Sequence, residues 1–170
     1  MKLLKLFNPP NLSESERNNL PKRISTRAII KNEEGQVALL YSNKFNYYEI
    51  PGGTVDGDET VAEGMARECL EETGCVIETI KELGLVQGLR SYNNSYQLNE
   101  IHGYLVKKIG AIREKNFDKG EIEEDFDLVW VNLDQAIELF IELPESDDIY
   151  RQFIKERGLL FLNEVKNIGH

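Results

Sequence analysis

The sequence predicts a single α/β domain, and two observations carry that expectation. Short apolar runs rich in Ile, Val, Leu and Tyr recur between Gly, Pro and Asn punctuation, which is the pattern of strands. Between and after them lie segments of helical periodicity, the clearest over residues 61–73. The size agrees: 170 residues can bury one proper core, and 41% hydrophobic with 29% charged residues is ordinary globular composition.

The elements follow in chain order. Residues 1–22, containing "NPPNLSESERNNLPK", read as an N-terminal arm or short helix before the domain. "RAIIK" and "QVALLYS" read as strands flanking a turn at 32–35. "YYEI" is a further strand, stopped by "PGG". The helix over 61–73 carries its own start and stop signals. Thr60 and Glu63 form a Thr-x-x-Glu capping box, and Gly74 stands where a glycine closes a helix. "CVIETIKELGLVQGL" and "YQLNEIHGYLVKK" are strand-like. An acidic loop, "DKGEIEEDFD", leads into a strand at "LVWVN", and "LDQAIELFI" and "DIYRQFIKERG" are expected helices. No repeats and no internal linker interrupt this order. The expected organisation is an arm over 1–22, a domain over 23–160 and a C-terminal tail over 161–170.

Composition restricts the function classes. A net charge of −10 argues against a sequence-independent nucleic-acid binder, which needs a basic footprint. A ligand bearing phosphates would need cations at its site. Two cysteines, Cys69 and Cys75, make no disulfide framework, and both read as small buried hydrophobes. "MKLLKLFNPPN" is no signal peptide, because Lys5 interrupts its apolar run and Asn8-Pro9-Pro10 ends it. No apolar run approaches membrane-spanning length. A cytoplasmic protein with free thiols is expected.

The chemistry concentrates in "RECLEETGC", residues 67–75. On a helix turning about 100° per residue, Glu68, Glu71 and Glu72 fall within an arc of roughly 100°. Ala62, Met65, Ala66, Cys69 and Leu70 are expected to pack the other side onto the core, leaving the glutamates outside the apolar stripe. Glu68 and Glu72 repel each other at i, i+4, and Arg67, four residues from Glu63 and Glu71, offsets part of that. The plain explanation is a solvated acidic face. The sharper one is a hard divalent cation, which takes carboxylate oxygens and keeps water ligands. "PGGTVDGDE" precedes the helix, and its glycines permit close backbone approach to a ligand, with a carbonyl as a further oxygen ligand. This arrangement favours the cation.

The string from Gly53 to Cys75 resembles the Nudix box, Gly-x5-Glu-x7-Arg-Glu-U-x-Glu-Glu-x-Gly-U, where U is apolar. Gly53, Glu59, Arg67, Glu68, Glu71, Glu72 and Gly74 match at the required spacing, with Cys69 and Cys75 in the apolar places. The resemblance extends in organisation over roughly residues 24–145. It implies an α/β/α sandwich around a mixed sheet and hydrolysis of a pyrophosphate in a nucleoside diphosphate linked to another moiety. It further implies Mg²⁺ or Mn²⁺ held by Glu68, Glu71, Glu72 and the Gly52 carbonyl, with Arg67 orienting the glutamates and Glu59 supporting the loop. Gly53 and Gly74 complete the motif's support.

The resemblance implies a glutamate as proton acceptor, either Glu68 or one of the acidic loop, Glu121, Glu123 or Glu124. Glu124 comes first, as the last glutamate before the strand. Arg27 and Arg90 are candidates to meet phosphates and Tyr92 to stack on a base. The expected partner is a small-molecule nucleoside diphosphate derivative, with no membrane and no nucleic acid, and a homodimer is left open. Two rival functions stand beside hydrolysis of a small nucleotide. One is a catalytically silent module that binds a nucleotide metabolite; the other is an RNA pyrophosphohydrolase.

Overall fold

The computed structural model describes residues 1–117, 119–145 and 148–169, and the side chains at 92 and 119–121 fall outside that description. Among the described residues, seven strands form one mixed sheet. They are β1 (Leu3–Phe7), β2 (Lys22–Lys31), β3 (Val37–Ser42), β4 (Tyr47–Glu49), β5 (Val76–Tyr92), β6 (Ser95–Ile109) and β7 (Phe126–Val131). The helices are α1 (Glu14–Asn18), α2 (Val61–Thr73), α3 (Lys119–Glu124), α4 (Leu133–Glu142) and α5 (Ile149–Ile168). The strand order is β1-β5-β6-β2-β3-β4, with β7 also paired to β3. The pairs β1–β5 and β2–β6 are parallel, and the remaining pairs are antiparallel.

The expected sandwich is present, with one apolar cluster on each face of the sheet. Met65 and Cys69 of α2 pack against Ala28, Ile30, Ala38 and Val106. On the other face Phe140 of α4 and Phe161, Leu162 and Val165 of α5 pack against Ile29, Leu39, Val86 and Ile101. β2 alternates between the two clusters, as a strand in a covered sheet must. Its odd-numbered residues therefore face α5.

Three segments differ from the sequence reading. Part of the expected arm is β1, which pairs with Leu85–Gly88 of β5 and packs Leu4 and Phe7 against the larger core. The expected tail continues α5 and buries Phe161, Leu162 and Val165. Gly158, the last residue of the expected helix "DIYRQFIKERG", lies inside α5 and admits the Phe140 ring, which a Cβ would strike. The acidic loop contains the short helix α3, closed by Asp125 at φ +53°.

Candidate active site

The site is built on the turn between β4 and α2. After Glu49 the chain passes through Pro51, Gly52 and Gly53, while Thr54 bridges back to Ser25 of β2. Thr26 N–H donates to Gly53 O at 2.8 Å and Ala28 N–H donates to Pro51 O at 2.9 Å, so β2 fixes this turn. Gly52 has φ +127°, and a Cβ there would meet the Thr26 carbonyl. Gly53 is needed for another reason, since a Cβ would meet the Glu68 carboxylate. The two glycines thus let the turn lie directly against the glutamates of α2.

α2 begins and ends as its sequence predicts. Thr60 and Glu63 form the reciprocal capping box, and Gly74 adopts φ +70°. Its orientation is a correction. Glu68 and Glu72 are buried, at 9% and 5% exposure, whereas Ala62 and Ala66 are exposed. The helix rests on the sector holding Met65, Cys69 and Glu72, because the glycine turn covers its acidic edge. Both thiols are buried and free, and burial pushes Cys69 well up.

Arg67 resolves most of the charge repulsion. Its Nε donates to Glu59 Oε1 at 2.7 Å and its Nη2 to Glu59 Oε2 at 2.9 Å, a bidentate pair. Nη2 also donates to Thr54 O at 2.9 Å. Nη1 donates to Glu68 Oε1 at 3.0 Å and Glu71 Oε2 at 3.1 Å. These bonds use all five donors of the guanidinium. The two bonds to Glu59 hold its carboxyl down at about 2, helped by Asp56 N–H. Glu72 is satisfied differently: its Oε2 accepts from Gly52 N–H at 2.6 Å.

Arg27 is not at the surface to meet phosphate. It is buried, facing α5, where Nη1 donates to Gly52 O and to Thr26 O, and Nη2 donates to Glu49 Oε1 at 2.7 Å. Arg157 of α5 donates to the same Glu49 oxygen at 2.6 Å. Burial opposes both charges on Arg27 and Glu49, yet their mutual attraction wins, leaving Arg27 raised and Glu49 lowered. Arg157 is pulled down to about 10 by burial and by Arg27.

Arg90 is exposed at the end of β5. Arg23, which the sequence reading did not single out, lies within electrostatic reach of Arg90, Arg27, Tyr150 and Glu68. It donates to Thr54 Oγ1 through Nε at 3.1 Å. The available signal was its even spacing from Arg27 along one strand, which puts both on one face. Glu124 closes α3, and its carboxylate accepts from the Tyr47 hydroxyl. Its carbonyl accepts from Ser42 Oγ at 2.8 Å. Glu123 is exposed. The side chains of Glu121 and Tyr92 lie outside the described residues.

Among the described residues, no three acidic, His or Cys side chains are gathered as a metal cluster. The glutamates instead turn to Arg67 and the Gly52 amide. The residue types nonetheless suit a hard divalent cation: three carboxylates of one helix packed against the Gly52–Gly53 turn, whose Gly52 carbonyl accepts from Arg27. No helix among the described residues is long and apolar enough to cross a membrane.

Comparison with known proteins bears on the family and the fold. The chain is 26% identical over 120 residues to an 8-oxo-(d)GTP phosphatase of Mycolicibacterium smegmatis, covering 71% of this chain and 34% of that protein. It is 32% identical over 62 residues to a MutT-like protein of Streptomyces ambofaciens, covering 36% of this chain and 40% of the other. The match thus spans about a third to two fifths of these curated relatives. The fold is similar to that of the E. coli ORF135 protein, with a TM-score of 0.61, 17% identity and coverage of 89% of this chain and 93% of that one. The NUDIX domain profile matches residues 21–155, and the chain belongs to that family.

Proposed function

We propose that this protein hydrolyses a phosphoanhydride bond in a nucleoside diphosphate linked to a further moiety. A nucleoside triphosphate, a nucleotide sugar or a dinucleoside polyphosphate would satisfy that description. The observation that carries the reading is the assembly of Glu68, Glu71 and Glu72 against the Gly52 turn under one arginine, Arg67. The name of the Mycolicibacterium smegmatis relative, an 8-oxo-(d)GTP phosphatase, supports a nucleotide substrate.

Glu68, Glu71, Glu72 and the Gly52 carbonyl would hold Mg²⁺ or Mn²⁺. When bound, such an ion neutralises phosphate oxygens and lowers the pKa of water. The residues of the chain supply the rest. Arg67 keeps Glu68 and Glu71 oriented through charge-assisted bonds. Arg23, within electrostatic reach of both Glu68 and Arg90 in a chain of net charge −10, would bind substrate phosphates together with Arg90, the role first expected of Arg27. Glu68 or Glu124 would accept the proton of the attacking water. Tyr47 fixes the direction of the Glu124 carboxylate, and its own phenol is held protonated, chiefly by burial. A cytoplasmic location suits a nucleotide substrate.

The test is a panel of nucleoside triphosphates, nucleotide sugars and dinucleoside polyphosphates with Mg²⁺, with Mn²⁺ and with EDTA. Orthophosphate, pyrophosphate and nucleoside monophosphate are scored separately, which locates the broken bond. Turnover that needs the cation supports the proposal. Binding without turnover across the panel would favour the silent module, and undiminished hydrolysis in metal-free buffer would sink the mechanism.

A further inference from the structure

Two buried arginines on the α5 face stand outside the roles above. Arg157 comes from the last helix and lies two residues beyond the end of the family match. It donates to Glu49 Oε1, the same oxygen that holds Arg27 Nη2. Arg27 Nη1 in turn donates to the Gly52 carbonyl, and Gly52 N–H donates to Glu72 Oε2. One continuous chain of charge-assisted bonds therefore runs from α5 to a glutamate of the Nudix box. It takes hold of the Gly52 residue from both ends, at its N–H and at its C=O.

A purely structural purpose fits this chain poorly. Arg157 is 4% exposed and Arg27 9% exposed. The Nε of each is buried without a hydrogen-bond partner, a destabilising arrangement. Buried ion groups of this kind can often be replaced by apolar side chains without loss of stability. The surrounding wall is already apolar, with Ile154 and Phe161 on α5. What the arginines provide that methionine could not is direction: a guanidinium presents fixed donors in a plane. The charges also balance locally. Arg27 and Arg157 both donate to Glu49, and Glu72 lies within electrostatic reach of Arg27.

We propose that Arg157 is a positioning residue, which acts through Glu49 and Arg27 to fix the Gly52 peptide and Glu72 and so to set the affinity of the site for a divalent cation. The cation part rests on the proposed function; the positioning part does not. α5 is then more than a cover for the sheet. It is the outer support of the turn, as hydrogen-bond partners behind the ligands of a metal site hold those ligands in place.

The experiment compares Arg157→Met, Arg157→Lys and Glu49→Gln with Leu162→Ala in the full chain. Leu162 is fully buried on the same helix and belongs to the core but not to the bonded chain. Arg157→Met should fold, because Glu49 keeps Arg27 as its partner. Two readouts are taken. The first is amide hydrogen exchange at Gly52 relative to Ala136, whose N–H donates within α4 to Asn132 O. The second is Mn²⁺ affinity by calorimetric titration of metal-free protein, with no substrate present.

For Arg157→Met and Glu49→Gln, exchange at Gly52 should rise at least about tenfold against Ala136, and Mn²⁺ affinity should fall about 10–100-fold. Leu162→Ala should lower Tm yet leave both readouts near wild type. Arg157→Lys should recover part of the loss. Wild-type exchange at Gly52 in Arg157→Met overturns the proposal, as does an equal effect of Leu162→Ala. If Arg157→Met fails to fold, Glu49→Gln and Arg157→Lys decide by the same criteria. If wild-type protein binds no Mn²⁺, the proposed function fails, and exchange at Gly52 still decides whether Arg157 positions the turn.

Discussion

Gly52→Ala should damage this protein more than Gly35→Ala, although both glycines have positive φ. The comparison separates backbone strain from close approach. Gly35 sits in the β2–β3 turn at φ +79°, and a Cβ there would meet nothing within 4 Å. Its replacement therefore costs only the left-handed conformation, about 1–2 kcal/mol. Gly52 is at φ +127°, outside the left-handed well, and a strained non-glycine residue costs about 1–3 kcal/mol. Its Cβ would also strike the Thr26 carbonyl, which is backbone of a central strand and has no rotamer to change. Overpacking of that kind adds about 1–3 kcal/mol. Taking about 4 kcal/mol for Gly52→Ala and about 1.5 for Gly35→Ala, Tm should fall by about 8–16 °C and about 3–6 °C respectively. Circular dichroism melts at pH 7 measure both. Turnover separates them further. Gly52 N–H is the donor to Glu72, so Gly52→Ala should lose most of its activity at a temperature where it is folded, and Gly35→Ala should lose none. An equal or smaller Tm drop in Gly52→Ala would refute the close-approach argument.

Glu68→Gln and Glu72→Gln should each lower kcat by at least about a hundredfold, as expected for loss of a metal ligand or base. Glu72→Gln should still fold, because the amide oxygen can accept from Gly52 N–H; a wild-type kcat in both, with a normal circular dichroism spectrum, would contradict the assignment. Arg67→Lys should lower both Tm and kcat, because a single ammonium cannot replace five donors held in one plane, and unchanged turnover would deny Arg67 its orienting role. Glu124→Gln should cut kcat while leaving KM nearly intact; an unchanged kcat there and in Glu121→Gln and Glu123→Gln would return the base to Glu68 or another residue of the box. Stability should fall on acidification between about pH 4.5 and 2. The Glu59 carboxyl is held at about 2 in the folded chain by Arg67, against an ordinary value near 4.5. Its contribution is thus complete above the ordinary value and disappears as pH falls through the folded one. Glu59→Gln should flatten that part of the stability–pH curve, and an unaltered acid limb would show that the pair contributes nothing.

Much of the fold was legible because its signals are local. The capping box at Thr60 and Glu63 and the glycine at 74 act within a few residues of α2, and they fixed both of its ends. The strand runs were legible for the same reason. The misread segments depend on distant partners. β1 has only five residues and needs β5 to be a strand at all. α5 passes through Gly158 because a phenylalanine from α4 packs there, and nothing near Gly158 in sequence announces Phe140. The helical ending of the acidic segment is six residues long, too short for periodicity to separate it from a loop.

The site divides along the same line, and its division explains the error over Glu68 and Glu72. Spacing on one helix correctly placed three glutamates on one arc, and the position of Arg67 made it their partner. Spacing could not say whether that arc faced water. A like-charged cluster reads as exposed, since burial of carboxylates is unfavourable unless each is matched. Here the matching comes from outside the helix. Gly52 N–H reaches Glu72 from twenty residues upstream, and Gly53 has no side chain to keep Glu68 away. Arg27 was misplaced by the same logic, because the carboxylate that permits its burial, Glu49, is 22 residues distant and is shared with an arginine 108 residues further on. A charged residue can be assigned to the interior from sequence only when its partner is nearby in sequence. Half-buried Arg67 has such a partner in Glu71, four residues on, and buried Arg27 has none so near.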